Sequence, residues 1–452
     1  MLNRRDVMLG GSLMLAGCAA GQLGPSDTRA AFVRRKGFGF RIGSDPYRIV
    51  GTNMWYAAYL GADAPFGNRA RLGRELDAMA AIGIDNVRIL GSSELSPLKN
   101  SITPAFRTRD RNYDPTLLAG LDFALAEMGK RNMRAVVYLT NFWEWSGGMM
   151  TYLYWTNGGR YINMNDPAYP WPQFPDFVSD FYSSGAAVAM YHDYVRAVVT
   201  RRNSITGLAY IDDPAIMSWQ LANEPRPGGT DAVAMRQLPA YLAWINGTAR
   251  LIKSLDPNHL VSTGSEGTQG CMGMDDCVFQ AHASPDIDYL TAHIWPQNWG
   301  WADPKDLAGT WPTVEKNTRD YIARQVVIAQ RLGKPLVIEE FGFPRDAGSF
   351  DPATSTQYKD RFYNTIYQAV ADSVRSGGPI AGSNFWAWGG EGRASHADYA
   401  FKPGDTNYLG DPPHEPQGWY SVLAGDASTR ALIRAHAAAV RARTSQALRS
   451  GW

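Results

Sequence analysis

The sequence predicts an α/β protein in which eight short apolar runs and the helical stretches between them close into a single (β/α)8 TIM barrel. Three observations carry this. Runs of strand character recur at Ile49–Asn53, Asn86–Leu90, Arg134–Leu139, Ile216–Leu221, Leu260–Thr263, Tyr289–His293, Pro335–Glu339 and Ser383–Trp386. Helical periodicity fills the intervals, at Arg69–Ile82, Pro115–Arg131, Ala186–Arg201, Leu238–Leu255, Val314–Leu332 and Thr354–Arg375. No repeat, charge run or low-complexity linker divides residues 32–452, which favours one closed barrel over an open doubly wound sheet. The pattern G-x-G-x-x-G is absent after the first run, which counts against a dinucleotide fold.

The elements follow in chain order. Asn3-Arg4-Arg5-Asp6 is a short basic start, Val7 to Ala16 is apolar, and Leu15-Ala16-Gly17-Cys18 resembles the lipobox of bacterial lipoproteins. The apolar run is too short to span a bilayer. We therefore expect a lipoprotein signal peptide over 1–18, a tether over 19–31, and an exported protein lipid-anchored to the cell envelope through Cys18. The pair Arg4-Arg5 also fits twin-arginine export. Phe32 to Tyr47 predicts a β-hairpin plugging the N-terminal end of the barrel. The segment 141–185 is long and rich in Trp and Tyr, and is expected as a functional loop on the catalytic face.

Composition narrows the function. The 452 residues carry a formal net charge of +1 with no basic block, so nothing attracts nucleic acid or an anionic membrane surface by charge. Aromatic residues make up 12%, many in Gly- and Asn-rich stretches, and such faces suit a sugar ring. Besides Cys18 there are Cys271 and Cys277, which could close a small disulfide or remain two free thiols. No second Cys or His pair lies nearby at zinc spacing.

Active sites of such barrels lie at the C-terminal ends of the strands. Two runs end in carboxylates there, one in Asn223-Glu224-Pro225 and one in Glu339-Glu340-Phe341-Gly342. Glycoside hydrolysis requires such a pair, one protonating the leaving oxygen and the other meeting the oxocarbenium-like carbon. Strand alternation would send Glu339 and Glu340 opposite ways, so that one of them faces the cleft.

This constellation resembles glycoside hydrolase family 5, a group of retaining (β/α)8 enzymes. The resemblance implies Glu224 as acid/base and Glu340 as nucleophile, with Glu224 of higher pKa than Glu340. It further implies Arg88 as the cation beside the nucleophile, Asn223 as the contact to the sugar 2-hydroxyl, His293 after the sixth strand, and Trp386 as the floor under the sugar. Where the family commonly has His-x-Tyr, this chain reads His293-Ile294-Trp295, which leaves the Tyr contact to the nucleophile in question. The loops around Asn141 and Trp143, around Trp295, Trp299 and Trp301, and around His414 are similar to those of β-mannan-degrading members. Trp388, Glu391 and Arg393 are further candidates for the cleft, and the other histidines are expected to be structural.

The expected activity is retaining hydrolysis of β-1,4-mannosidic bonds in mannan or manno-oligosaccharides, endo or exo, by a monomer with no cofactor or metal. The alternatives are another β-glycanase or exo-glycosidase, and a tethered carbohydrate-binding protein without activity.

Overall fold

The computed structural model describes residues 32–449, so the expected signal peptide and tether lie outside the described residues. Strands β1 (Val33–Lys36), β2 (Gly39–Ile42) and β3 (Asp45–Tyr47) form a small antiparallel sheet. Eight parallel strands follow: β4 (Ile49–Asn53), β5 (Asn86–Leu90), β6 (Arg134–Tyr138), β7 (Ile216–Gln220), β8 (Leu260–Ser262), β9 (Leu290–Ile294), β10 (Leu336–Phe341) and β11 (Ile380–Phe385). Their order is β8-β7-β6-β5-β4-β11-β10-β9. Asp288 N donates to Val261 O and His293 N to Glu266 O, which joins the two ends of that order and closes the barrel.

Apart from Arg134, every residue of these eight strands is buried. Helices cover one face of a barrel strand and the packed interior the other, which is why the strands read as continuous apolar runs. The expected hairpin is a three-stranded sheet, and it plugs the barrel as anticipated. Val33, Phe40 and Tyr47 pack with Val136, Met217, Leu260, Tyr289 and Val337, and Phe40 meets Tyr289 edge to face at 5.4 Å.

Helix starts are set by side-chain caps. Asn68, Asp114, Ser184, Thr230 and Asp306 each accept a backbone N–H from the first turn that follows. Two helices begin earlier than the periodicity suggested, at Asp231 and Leu307 rather than Leu238 and Val314. Both run through a proline, Pro239 and Pro312, whose cost is outweighed by the upstream caps Thr230 and Asp306 and by the buried face. The 141–185 segment is partly helical, with Gly148–Thr156 and Gln173–Val178 separated by an irregular stretch over 157–172. A helix at Ala427–Arg449, missed in the sequence, packs on the Gln357–Ser376 helix, where His436 stacks on Tyr367 at 4.0 Å.

Candidate active site

The C-terminal strand ends open into a cleft of about 650 Å³, lined by both Glu224 and Glu340 together with Asn223, Trp143, Trp295 and Trp386. Glu224 follows β7 with φ of +50°, a left-handed backbone that a non-glycine residue adopts at a cost of roughly 1 kcal/mol or more. Its N–H donates to Gly264 O across to the next strand end, and a Cβ on Gly264 would meet Ala222 O at 1.9 Å. The strain therefore aims one carboxylate into the cleft.

Glu340 arrives by a different device. Between β9 and β10 the register shifts, so that Ile338 pairs with Ala292 and Glu340 with His293, leaving Glu339 as the extra residue of a bulge. Both glutamates consequently turn inward, which corrects the expectation that alternation would separate them. Glu340 reaches the cleft, whereas Glu339 lies deeper, accepting from Gln220 Nε2 at 2.6 and 2.7 Å. The glycine of the Glu-Phe-Gly motif makes room for an aromatic ring, since a Cβ on Gly342 would meet Trp295 Cζ3 at 2.7 Å.

One oxygen of Glu224, one of Glu340 and a ring nitrogen of His293 all lie within 4.8 Å of one another. That separation fits direct attack, for which carboxyl groups about 5–5.5 Å apart are required, rather than the wider gap that admits water. The same three groups could ligate a cation by distance alone. Their oxygens, however, already face N–H donors: Glu224 receives His293 Nδ1–H at 2.6 Å, Trp143 Nε1–H, and Trp295 Nε1–H at 3.3 Å, and Glu340 receives Arg88 Nη1–H.

Arg88, Asn141 and His293 were expected as substrate contacts, but all three are fully buried behind the cleft surface. Arg88 and Asn141 spend their polar atoms within the site, and His293 spends Nδ1 on Glu224. Arg88 binds Asn53, Gln220, Asn223 and Glu340. Asn141 Oδ1 accepts from Trp143 N and Asn223 Nδ2, holding the indole and the amide in place. The indole of Trp295 donates to Glu224 rather than to Glu340, so the departure from His-x-Tyr moves that contact to the other carboxylate. Trp388 is buried elsewhere with its N–H on Glu75, and Glu391 pairs with Arg74 outside the cleft. Arg393 lines a separate depression.

The proton distribution reverses the expected order in the empty cleft. Burial pushes Glu340 up to about 7 against the opposing charges of His293 and Arg88. Glu224, despite burial, is held down to about 2 by the hydrogen bond and charge of His293, then by Arg226 and Trp143. Burial works against a charged His293, yet the Glu340 charge and the Glu224 hydrogen bond raise it to about 10. The hydrogen bond and charge of His293 thus favour the carboxylate form of Glu224, while burial favours the neutral form of Glu340.

Two lining residues, Arg226 and Glu266, carried no sequence signal of their own. Arg226 grips Glu266 through two bonds of 2.6 and 2.7 Å and lies over the Trp143 ring at 5.0 Å. Their position just beyond the ends of β7 and β8 is the clue that could have found them. Trp145, Trp171, Asn298, Glu415 and Trp419 also line the cleft. Cys271 and Cys277 are buried with their Sγ atoms facing each other at 2.6 Å, in the segment that follows Glu266.

A closed parallel barrel with paired carboxylates at its strand ends, backed by Arg88 and floored by Trp386, defines a glycoside hydrolase. The family profile described as GH family 5 beta-mannosidase-like matches residues 30–445. The chain belongs to that family. A structure of a glycoside hydrolase family 5 mannosidase from Rhizomucor miehei, a Glu→Ala mutant in complex with mannosyl-fructose, superposes with a TM-score of 0.84. It is 34% identical and covers 92% of this chain and 99% of its own. A putative mannan endo-1,4-beta-mannosidase 9 of Oryza sativa subsp. japonica is 30% identical, over 81% of this chain and 84% of its own. Mannan endo-1,4-beta-mannosidase 1 of Arabidopsis thaliana is 28% identical, over 79% and 82%.

Proposed function

We propose that this chain is an exo-acting β-mannosidase that removes single mannose units from the non-reducing end of β-1,4-linked manno-oligosaccharides by double displacement. The observation that carries the exo reading is a wall on one side of the cleft. His414, from the loop after β11, stacks on Trp145 of the loop after β6 at 6.5 Å, and both line the cleft. Behind them Tyr408 packs on Trp55, Tyr56 and Tyr59 of the segment after β4. Three loops are thereby joined along one side of the cleft, and in the proposed reading this is the side where a second sugar would precede the cleaved one. The other side, past Trp143, ends at Trp171, which is 57% exposed.

At the wall, burial holds Glu415 well above the usual carboxylate range, reinforced by the charges of Asp411, Glu340 and Glu224. A neutral carboxyl there donates a hydrogen bond to the hydroxyl edge of the terminal sugar. The mannose ring then lies over Trp386 with its anomeric carbon at Glu340 and its leaving oxygen at Glu224. The proton on His293 is one short hydrogen bond away from Glu224, so a neutral His293 beside a protonated Glu224 is reached by a single shift along the 2.6 Å contact. Glu340 forms the glycosyl-enzyme as Glu224 donates, and Glu224 then takes a proton from the attacking water. Support for mannose comes from the family profile and from the mannosidase and mannanase relatives.

Products from mannohexaose test this. Mannose alone, with galactomannan viscosity unchanged, is expected; mixed oligosaccharides would overturn exo action, and no product from either substrate would overturn the mannosidic reading. Covalent labelling by a 2-fluoro-mannoside should vanish in Glu340→Ala and persist in Glu339→Ala. The exported, lipid-anchored state rests on the lipobox-like Leu15-Ala16-Gly17-Cys18; Cys18→Ser should move the protein from the membrane to the soluble fraction, and unchanged membrane association would refute it.

A further inference from the structure

The chain that leaves β8 and enters the Asp275–His282 helix presents Glu266 and Gln269 to the cleft. Glu266 O accepts from the Tyr321 hydroxyl at 2.6 Å, and Gln269 N donates to the same oxygen at 3.3 Å. Beyond Gln269 the chain turns back on itself. Cys271 N and Gly273 N both donate to Thr268 O, and Met274 N donates to Cys271 O. Met272 in that turn holds φ at +53°, a backbone that a non-glycine residue keeps only where its surroundings impose it. The turn sets Cys271 against Cys277 in the first turn of the helix. Both are 1% exposed, and their sulfurs face each other at 2.6 Å. Among the described residues, Glu224, His293 and Glu340 are the one group of three or more His, Cys, Asp and Glu close enough to share a cation, so the two sulfurs are not half of a metal site.

We infer that Cys271 and Cys277 are a disulfide site, and that the bond pins the turn presenting Glu266 and Gln269 to the cleft. A covalent S–S bond is about 2.05 Å long, so the approach still needed is small. Closure is an exchange. One thiolate attacks the disulfide of an oxidised thiol oxidoreductase or of oxidised glutathione, and the other cysteine displaces that partner from the mixed disulfide. Two protons leave the cysteines, two electrons pass to the partner, and its disulfide becomes two thiols. Burial sets the time of the step. The Cys277 sulfur, and then burial, push the Cys271 thiol well above its ordinary range, so the folded chain holds little thiolate there and neither sulfur is open to a partner. The bond closes while the chain folds, and the finished fold shields it from reductants. Its oxidant is the one element that rests on the exported state proposed above.

Labelling of the full-length protein taken directly from cells, alkylated after denaturation, reads the bond without refolding. A peptide spanning residues 271–277 should carry no label and be lighter by two hydrogens. The same protein refolded with oxidised and reduced glutathione should close the bond again. Refolded in dithiothreitol, it should take label on both cysteines and melt about 2 °C lower. Its KM for mannobiose should rise about threefold at unchanged kcat, because Glu224 and Glu340 are held by other strands. Cys271→Ala/Cys277→Ala, which keeps Cys18, should give the same midpoint and KM under both conditions, tying the difference to this pair. Label on both cysteines after glutathione refolding overturns the site. A closed bond that moves neither midpoint nor KM overturns its hold on the cleft. Open thiols in protein from cells, with a closed bond after glutathione refolding, would keep the site and refute the exported state instead.

Discussion

Replacing Arg88 by Met should both destabilise the protein and disable the nucleophile, and the structure sets the size of each effect. The guanidinium is wholly buried and contacts Glu340 directly, with Glu339 at 3.5 Å. It also satisfies Gln220 Oε1 at 2.7 Å, Asn223 Oδ1 at 2.8 Å and Asn53 Oδ1 at 3.1 Å. Met fills similar space but strands two buried carboxylates, and breaking a buried pair from one side costs about 3–5 kcal/mol. In a domain of this size each kcal/mol moves the melting midpoint by about 1 °C, so calorimetry should record a fall of about 3–6 °C. Arg88 is one of the charges holding Glu340 down, so its loss raises that carboxyl further above 7. The ionised nucleophile is then scarcer at neutral pH, and the rising limb of kcat/KM on an aryl β-mannoside moves to higher pH. Adding Glu339→Gln removes one stranded charge while leaving an amide oxygen to accept from Gln220, and should recover about 1–2 kcal/mol. Glu339→Gln alone should retain turnover within about tenfold, whereas Glu340→Gln should lose about 10⁴-fold or more. A melting midpoint within about 1 °C of the parent in Arg88→Met, or no recovery in the double variant, would refute the account of a charge that neutralises two glutamates.

Trp143→Phe keeps the ring stacked on Phe174 and Trp171 but removes the N–H that Glu224 accepts. Loss of a hydrogen bond to a charged group predicts a fall in kcat of about ten- to a hundredfold with little change in KM, and parental kcat would contradict the contact. Stability should fall in mild acid. Burial lowers His282 and His436 to about 4, below the ordinary 6.5, so between these values the unfolded chain binds more protons. Their contribution is whole above about pH 6.5 and is lost as pH falls toward 4. His436→Phe, which keeps a ring against Tyr367, should flatten the slope of Tm against pH in that window; an unchanged slope would exclude His436 as a source.

The barrel was legible in the sequence because strands buried on both faces are contiguous in the chain, and seven of the eight match both observed boundaries within two residues for that reason. Glu224, Glu340, Asn223, Trp143, Trp295 and Trp386 were legible because the active face is fixed by strand direction, so polar and aromatic residues at strand ends declare themselves. Whatever depends on two distant segments meeting was not. The bulge that turns Glu339 inward is a mismatch between β9 and β10, and period-two alternation within β10 alone predicts the opposite. The wall exists because His414 reaches Trp145 across the cleft mouth, a contact with no local signature in either loop. The proton order follows the same logic. A carboxyl meant to donate reads from sequence as the one to be raised, but the decisive neighbour, His293, arrives from β9 and faces both glutamates at once, at 2.6 Å from Glu224 and 3.4 Å from Glu340. Its cation draws Glu224 down and opposes the burial that lifts Glu340, so the three groups titrate together rather than one by one.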